Sequence, residues 1–212
     1  VSENDARLLE SVLNKKVSVI PNGVDSDYFT PTNCEVRDTL LFTGVLSNPG
    51  NEEACLFLIQ HVFPAVKERY PSIKFVIAGR NPTKRLIEFM PDYVELMPDL
   101  DDLRVAFKNV CLFLAPITIG AGIKNNVLQA MSMGVPTLTN NLVSEAIDIT
   151  DNDTGLVEDD RTLYTDRILK VLDDRHLLSS VGARGREHVL LNYSWDSVVS
   201  KYLSLLGAKT DD

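Results

Sequence analysis

Cysteines, basic runs, aromatics and long apolar stretches are all scarce in this chain, and each shortage removes a class of function. Cys34, Cys55 and Cys111 are odd in number and far apart, no CxxC pair occurs, and His61, His176 and His188 show no ligand spacing to them. A disulfide framework and a structural metal are thereby excluded, and a reducing compartment is expected. No basic run exceeds two residues (Lys15-Lys16 and Lys84-Arg85), and 30 acids against 21 bases leave a net charge of −9. Nucleic acid is excluded as a partner, because its affinity comes mainly from a basic face that neutralises phosphates. The longest apolar stretches, Ala54 to Ile59 and Val110 to Ala115, are too short to span a bilayer, and no stretch reads as a signal peptide. Aromatics at 7%, 11 glycines and 10 prolines, with neither repeats nor low-complexity segments, leave no sign of a fibre or of disorder. Nucleophilic machinery is missing as well. The chain has no GxSxG elbow, no HExxH and no Cys/His pairing.

What is present is a regular alternation of strand and helix signals. Asp5 to Leu13 carries a helical pattern, and Val17 to Ile20 reads as a strand ended by the turn Pro21-Asn22-Gly23. Leu40 to Thr43 is the next strand. Asn51 to Tyr70 follows as a helix that Pro64 should kink or restart. The alternation continues with strand Lys74–Ala78, helix Thr83–Phe89, strand Val94–Met97, a helix near Leu103–Phe107 and strand Val110–Ala115. Helix Lys124–Met133 comes next, with Gly134 at its C′ position, and then strand Pro136–Thr139. Strands such as Phe75-Val76-Ile77-Ala78 and Cys111-Leu112-Phe113-Leu114 are apolar throughout, as expected of a parallel sheet covered on both faces. The expected fold is α/β, a doubly wound, Rossmann-like parallel sheet. Beyond Asp160 the signals are purely helical, which gives a helical C-terminal tail.

In such a sheet a ligand binds beyond the carboxyl ends of the strands, where strand order reverses. Of the loops at that end, Pro116 to Asn126 is the richest. Gly120-Ala121-Gly122 leaves backbone amides unshielded where a helix N-terminus points outward, and Thr118 and Lys124 add a hydroxyl and a charge. This reads either as a phosphate cradle or as a tight turn that needs glycine for its dihedrals. Arg80, directly after a strand, faces either the crevice or solvent, whereas Lys84 and Arg85 at a helix start read as solvent-facing. Asp101-Asp102 and Asp159-Asp160 lie near helix starts, where carboxylates complement the dipole.

Several segments together, covering almost the whole chain in order, resemble the group-one family of retaining GT-B glycosyltransferases. They are Val19-Ile20-Pro21-Asn22-Gly23-Val24-Asp25 with Tyr28-Phe29, Leu41-Phe42-Thr43-Gly44, Lys74 to Gly79, Gly120 to Met131 with Gly134-Val135-Pro136, and Tyr193-Ser194-Trp195. The resemblance implies a C-terminal, donor-binding domain of a GT-B enzyme. Residues 1–16 would be an interdomain linker helix, 17–160 the nucleotide-sugar-binding domain, and 161–212 helices packing on it and toward an N-terminal acceptor domain. The opening Val1-Ser2-Glu3, without Met, fits a start further upstream. The implied substrate is a nucleoside-diphosphate sugar, with no cofactor and no metal, and the implied location is the cytoplasm, at the membrane periphery in the full-length enzyme.

Donor contacts are expected from Gly44, Arg80, Thr118, Gly120, Ala121, Gly122, Ile123, Lys124 and Gln129, and no residue is assigned as catalytic. The family's Glu, seven residues, Glu motif spans the segment held here by Ala121 to Gln129. Its first Glu usually contacts the sugar and its second the ribose, and both carboxylates are absent from this chain. The bases that the family tends to place after the first donor-domain strand are absent from Val45 to Asn51. Two alternatives follow. One is a degenerate domain kept as a nucleotide-binding or scaffold module. The other, a dinucleotide-binding dehydrogenase domain, is weakened because Asn125 replaces the third glycine and the motif follows a late strand.

Overall fold

The computed structural model describes residues 3–31, 37–120 and 122–207, so Cys34 and Ala121 lie outside the described residues. Helix α1 (Glu3–Leu13) leads into an extended segment. The sheet strands are β1 (Thr39–Val45), β2 (Lys74–Arg80), β3 (Val94–Pro98), β4 (Val110–Ala115), β5 (Thr137–Thr139) and β6 (Leu156–Val157). They form one sheet in the order β3-β2-β1-β4-β5-β6, and every neighbouring pair is parallel. Leu40, Leu41 and Phe42 of β1 and all of β4 are buried. This is why these strands carry apolar runs rather than alternation: helices cover both faces.

Helices α2 (Pro49–Phe57) and α3 (Phe63–Arg69) form one continuous helix, joined by a π turn at Leu58–Val62. Pro64 brings no N–H to the carbonyl four residues earlier. The ladder widens just before it, and Phe63 N–H reaches back five residues to Leu58 O. The expected kink is therefore a π bulge, and the helix neither stops nor restarts.

Helix α4 (Lys84–Glu88) and the 3-10 turn Leu103–Phe107 match their sequence signals. Helix α5 (Asn125–Ser132) ends at Gly134, which takes φ +67° as a C′ glycine should. The short helix α6 (Asn141–Ser144) and the two-residue strand β6 have no counterpart in the sequence reading. Both are too short to leave a periodic signal.

One strand expectation is overturned. Val17–Ile20 pairs with no strand of the sheet, whose edges are β3 and β6. The Val17 N–H bonds the Glu10 carboxylate at 2.9 Å instead. Ser18 and Val19 line a groove with Ser200 and Leu205 of the last helix, so the apolar pattern reflects packing on a helix.

The tail is α7 (Tyr164–Leu172), α8 (Arg175–Tyr193) and α9 (Trp195–Leu205). Tyr164 is fully buried and donates to Leu138 O at 2.9 Å, tying α7 to β5. Val24 N–H donates to Tyr193 O at 2.7 Å, which brings together two segments that resemble the same family. Helix α9 buries only Val198, while Val199, Tyr202, Leu205 and Leu206 are exposed, as are Leu8, Leu9, Val12 and Leu13 of α1. No helix among the described residues is long and apolar enough to cross a membrane.

Cys55 and Cys111 are both buried. Burial pushes the Cys55 thiol well above its ordinary range and raises that of Cys111 to about 12. Iodoacetamide at neutral pH should therefore leave both unmodified in the folded chain and label both after denaturation. Peptide mass mapping reads the result, and labelling of Cys111 in the native chain would show that β4 is not core.

Candidate functional site

Strand order reverses between β1 and β4. The connection after β1 runs through α2 toward β2, and the one after β4 runs through α5 toward β5. Right-handed crossovers place these helices on opposite faces of the sheet. Consistent with this, α5 packs on α8, while α2 packs on α4 and its continuation on α7. Between the two helix N-termini opens the crevice in which doubly wound sheets bind ligands. Gly44, Arg80 and the 116–124 loop all reach it from carboxyl ends of strands.

The walls are held by close backbone approach. Gly44 pairs in register with Gly79. A Cβ on Gly79, whose φ is +153°, would lie 1.8 Å from Gly44 O. The next turn is packed as tightly, for a Cβ on Gly50 would stand 2.6 Å from Ile119 O. The N-terminus of α2 thus rests on the glycine loop. Across the crevice Asn126 Nδ2 donates to Thr43 O at 2.5 Å, fixing the start of α5 to the end of β1. Asn140 Nδ2, buried, donates to Ile117 O at 2.9 Å and steadies the base of the loop.

The loop itself turns on Gly120 (φ +105°) and Gly122 (φ +77°), each of which needs a positive φ, as the turn reading of its glycines expects. Ile123 packs against the core and anchors the loop from within. Lys124 Nζ donates to Gly120 O at 2.9 Å, and burial holds its pKa below the ordinary lysine value. No side chain caps the N-terminus of α5, and of its first amides that of Val127 donates to Lys124 O at 3.0 Å. Thr118 donates its hydroxyl to Glu53 of α2 at 3.0 Å, so its one O–H is turned to α2.

Arg80, Lys84 and Arg85 are exposed, and no ion pair engages them among the described residues. Gln129 is half-buried and sits four residues after Asn125 on the same helical face. That face is turned toward the 22–29 segment, because Asn22 Nδ2 reaches Asn125 Oδ1 at 3.4 Å and Ser132 Oγ donates to Phe29 O at 2.7 Å. Among the described residues no group of three His, Cys, Asp or Glu could hold a metal ion. Asn126, Asn140 and Glu53 were not singled out from sequence. Each belongs to a polar pair (Asn125-Asn126, Asn140-Asn141, Glu52-Glu53) at a junction of elements, and only the tertiary contact reveals its use.

A model of the glycosyl transferases group 1 matches residues 37–174, the whole sheet and both walls of the crevice. The chain belongs to this family. Among curated relatives, an uncharacterized 44.6 kDa protein in the cps region of Klebsiella pneumoniae is 23% identical, covering 82% of this chain and 46% of that protein. A GDP-mannose-dependent alpha-(1-6)-phosphatidylinositol monomannoside mannosyltransferase of Mycobacterium tuberculosis is 25% identical, covering 88% and 54%. This group 1 chain thus spans about half the length of the curated relatives it matches. Among solved structures, the pneumococcal O-GlcNAc transferase GtfA in complex with UDP and GlcNAc superposes with a TM-score of 0.78 at 17% identity, over 97% of this chain and 44% of that one. The C-terminal domain of LpcC, a group 1 family glycosyl transferase from Francisella tularensis, does so at 0.62 and 16% identity, over 82% of this chain and all of that domain.

Proposed function

We propose that this chain is the donor-binding half of a glycosyltransferase that takes its sugar from a nucleoside diphosphate. The observation that carries the reading is the uncapped N-terminus of α5, opening with the glycine loop and Lys124 onto the crevice at the β1/β4 switch point. The loop amides and the first amides of α5 donate to the diphosphate at the positive end of the helix. Lys124 and, from the β2 end, Arg80 add charge, and Gly44 ends β1 against the Asn51 side chain, whose amide nitrogen a Cβ there would meet at 2.6 Å. These groups stabilise the negative charge that grows on the diphosphate as the sugar departs, and the reading calls for no metal ion. A mannosyltransferase named as GDP-mannose-dependent among the relatives, and a structural neighbour solved with UDP and GlcNAc, support this substrate class.

The acceptor would come from a second half of the protein. The exposed apolar faces of α1 and α9 support that arrangement. The 212-residue chain alone should bind UDP or GDP and transfer no sugar. Turnover by the purified chain with any nucleotide sugar and acceptor would sink the need for a second half.

Gln129 tests the ribose side of the site. Replacing it with Ala should weaken nucleoside diphosphate binding by about 0.5–1.5 kcal/mol, the net worth of one uncharged hydrogen bond. Gln129→Glu should strengthen binding, since a carboxylate accepts from hydroxyls with charge assistance. Calorimetric titration of both variants beside the parent decides it, and three equal affinities remove Gln129 from the site.

A second reading, a binding or scaffold module without transfer, is favoured by the absence of carboxylates at Ala121 and Gln129 and of bases in 45–51. Nucleotide affinity without turnover in the full-length protein would establish it.

A further inference from the structure

The structure assigns Glu53 a role that nothing in the sequence signals. We infer that Glu53 is the positioning residue of the glycine loop, holding it through Thr118 in the conformation that receives the diphosphate; the ligand part of this inference rests on the donor-binding reading above.

Glu53 lies on α2, where each carboxylate oxygen has its own task. Oε2 accepts the Thr118 hydroxyl at 3.0 Å, and Oε1 accepts Arg161 Nη1 at 2.5 Å. Arg161, from the loop after β6, stacks its guanidinium 4.0 Å above the Phe57 ring, one turn along α2. The carboxylate is thus fixed from the far side by a cation with its own second support.

Thr118 is exposed and lies between buried Ile117 and the two glycines. On the α5 side the loop is tied by Asn140 to Ile117 O and by Lys124 to Gly120 O. On the α2 side the only side-chain hydrogen bond to it among the described residues is Thr118 to Glu53. Gly50 also packs there against Ile119 O, which limits approach without setting a direction. A stretch with two positive-φ glycines has many alternative backbone states, so one directed bond at its outer edge selects among them. Neighbouring Glu52 does not share this work, because it accepts from Thr83 Oγ1 at 2.5 Å and serves the start of α4.

Glu53 donates nothing to a phosphate and, as an anion, would repel one. Its contribution is preorganisation: the ordering entropy of the loop is met before the ligand arrives. A residue acting through the loop should change diphosphate binding and leave the nucleoside part alone. The bond to Thr118 and the pair with Arg161 are partly exposed, so the pair itself adds little and the direction of the bond matters more.

The test uses the whole chain and the variants Glu53→Ala, Glu53→Gln and Thr118→Val. In ligand-free protein, backbone 15N order parameters at Ile119, Gly120, Gly122 and Ile123 should fall in Glu53→Ala and Thr118→Val, and less in Glu53→Gln, which retains an acceptor. The double variant should fall no further than either single one. Against UDP, Glu53→Ala should bind about fivefold more weakly, the worth of one lost hydrogen bond. Its NMR-detected affinity for uridine, which carries no phosphate, should match the parent's. Unchanged loop order parameters in both Glu53→Ala and Thr118→Val overturn the assignment, and so does an equal loss for uridine and UDP. Should the parent bind neither UDP nor GDP, the donor-binding reading fails, and the order parameters alone still decide whether Glu53 holds the loop.

Discussion

Substituting Ala for Gly79 should destabilise the chain by about 3 kcal/mol or more, from backbone strain and overpacking together. The added Cβ would lie 1.8 Å from Gly44 O and 2.9 Å from Gly44 C, both backbone atoms of the central strand β1. A side chain in the way could rotate, but here the strands themselves must part. The residue also sits at φ +153°, which L side chains rarely adopt. Gly207 provides the control. Its φ is +71°, yet a Cβ there would meet nothing within 4 Å. Gly207→Ala should therefore show only the smaller dihedral cost, about 1 kcal/mol. Thermal melts of the two variants beside the parent separate the effects. If Gly79→Ala melts with Gly207→Ala, the β1 and β2 ends do not approach as described, and one wall of the crevice is misplaced.

The largest single effect on binding should come from Lys124. Its removal deletes a charged donor from the rim of the glycine loop, and hydrogen bonds to charged groups are worth about 1.5–3 kcal/mol, a loss of roughly ten- to hundredfold in affinity. Lys124→Ala should show that loss for UDP and GDP, and Lys124→Arg should keep most of the affinity. The pH dependence has a definite sign. Burial disfavours the ammonium in the free protein, and a bound diphosphate favours it, so the pKa rises on binding. The lysine's contribution is then complete below its free-state pKa and disappears as pH rises through the bound-state value. Because the free-state value is depressed, the decline should begin at lower pH than an ordinary lysine would give. Affinities of Lys124→Ala equal to the parent's, or a parent affinity that rises over that range, would remove Lys124 from the diphosphate site.

What could be read in advance follows the strength of each physical signal. The strands β1, β2 and β4 are long, apolar on both faces and bounded by glycine or proline, so their burial is written in composition. The glycine loop was legible because positive φ demands glycine and a helix start demands amides. Val17–Ile20 misled because an apolar segment lying along a helix has the same pattern as an edge strand, and no local signal tells the two apart. Leu156–Val157 was missed because two residues carry no period. Asn126, Asn140 and Glu53 escaped notice because each acts across the fold on a backbone or side chain far away in sequence. Thr118 reads as a phosphate contact from its position, while the partner of its hydroxyl, Glu53, lies 65 residues away in sequence and carries no local signal.

The central claim is that a nucleoside diphosphate binds in the crevice between β1 and the N-terminus of α5. Backbone NMR of the 212-residue chain, titrated separately with UDP and with GDP, tests it most directly. The account predicts saturable shifts from at least one of the two nucleotides, concentrated at Gly44, Arg80, Gly120, Gly122, Lys124 and Asn125. Saturable shifts confined to the opposite end of the sheet, or none with either nucleotide, would contradict it.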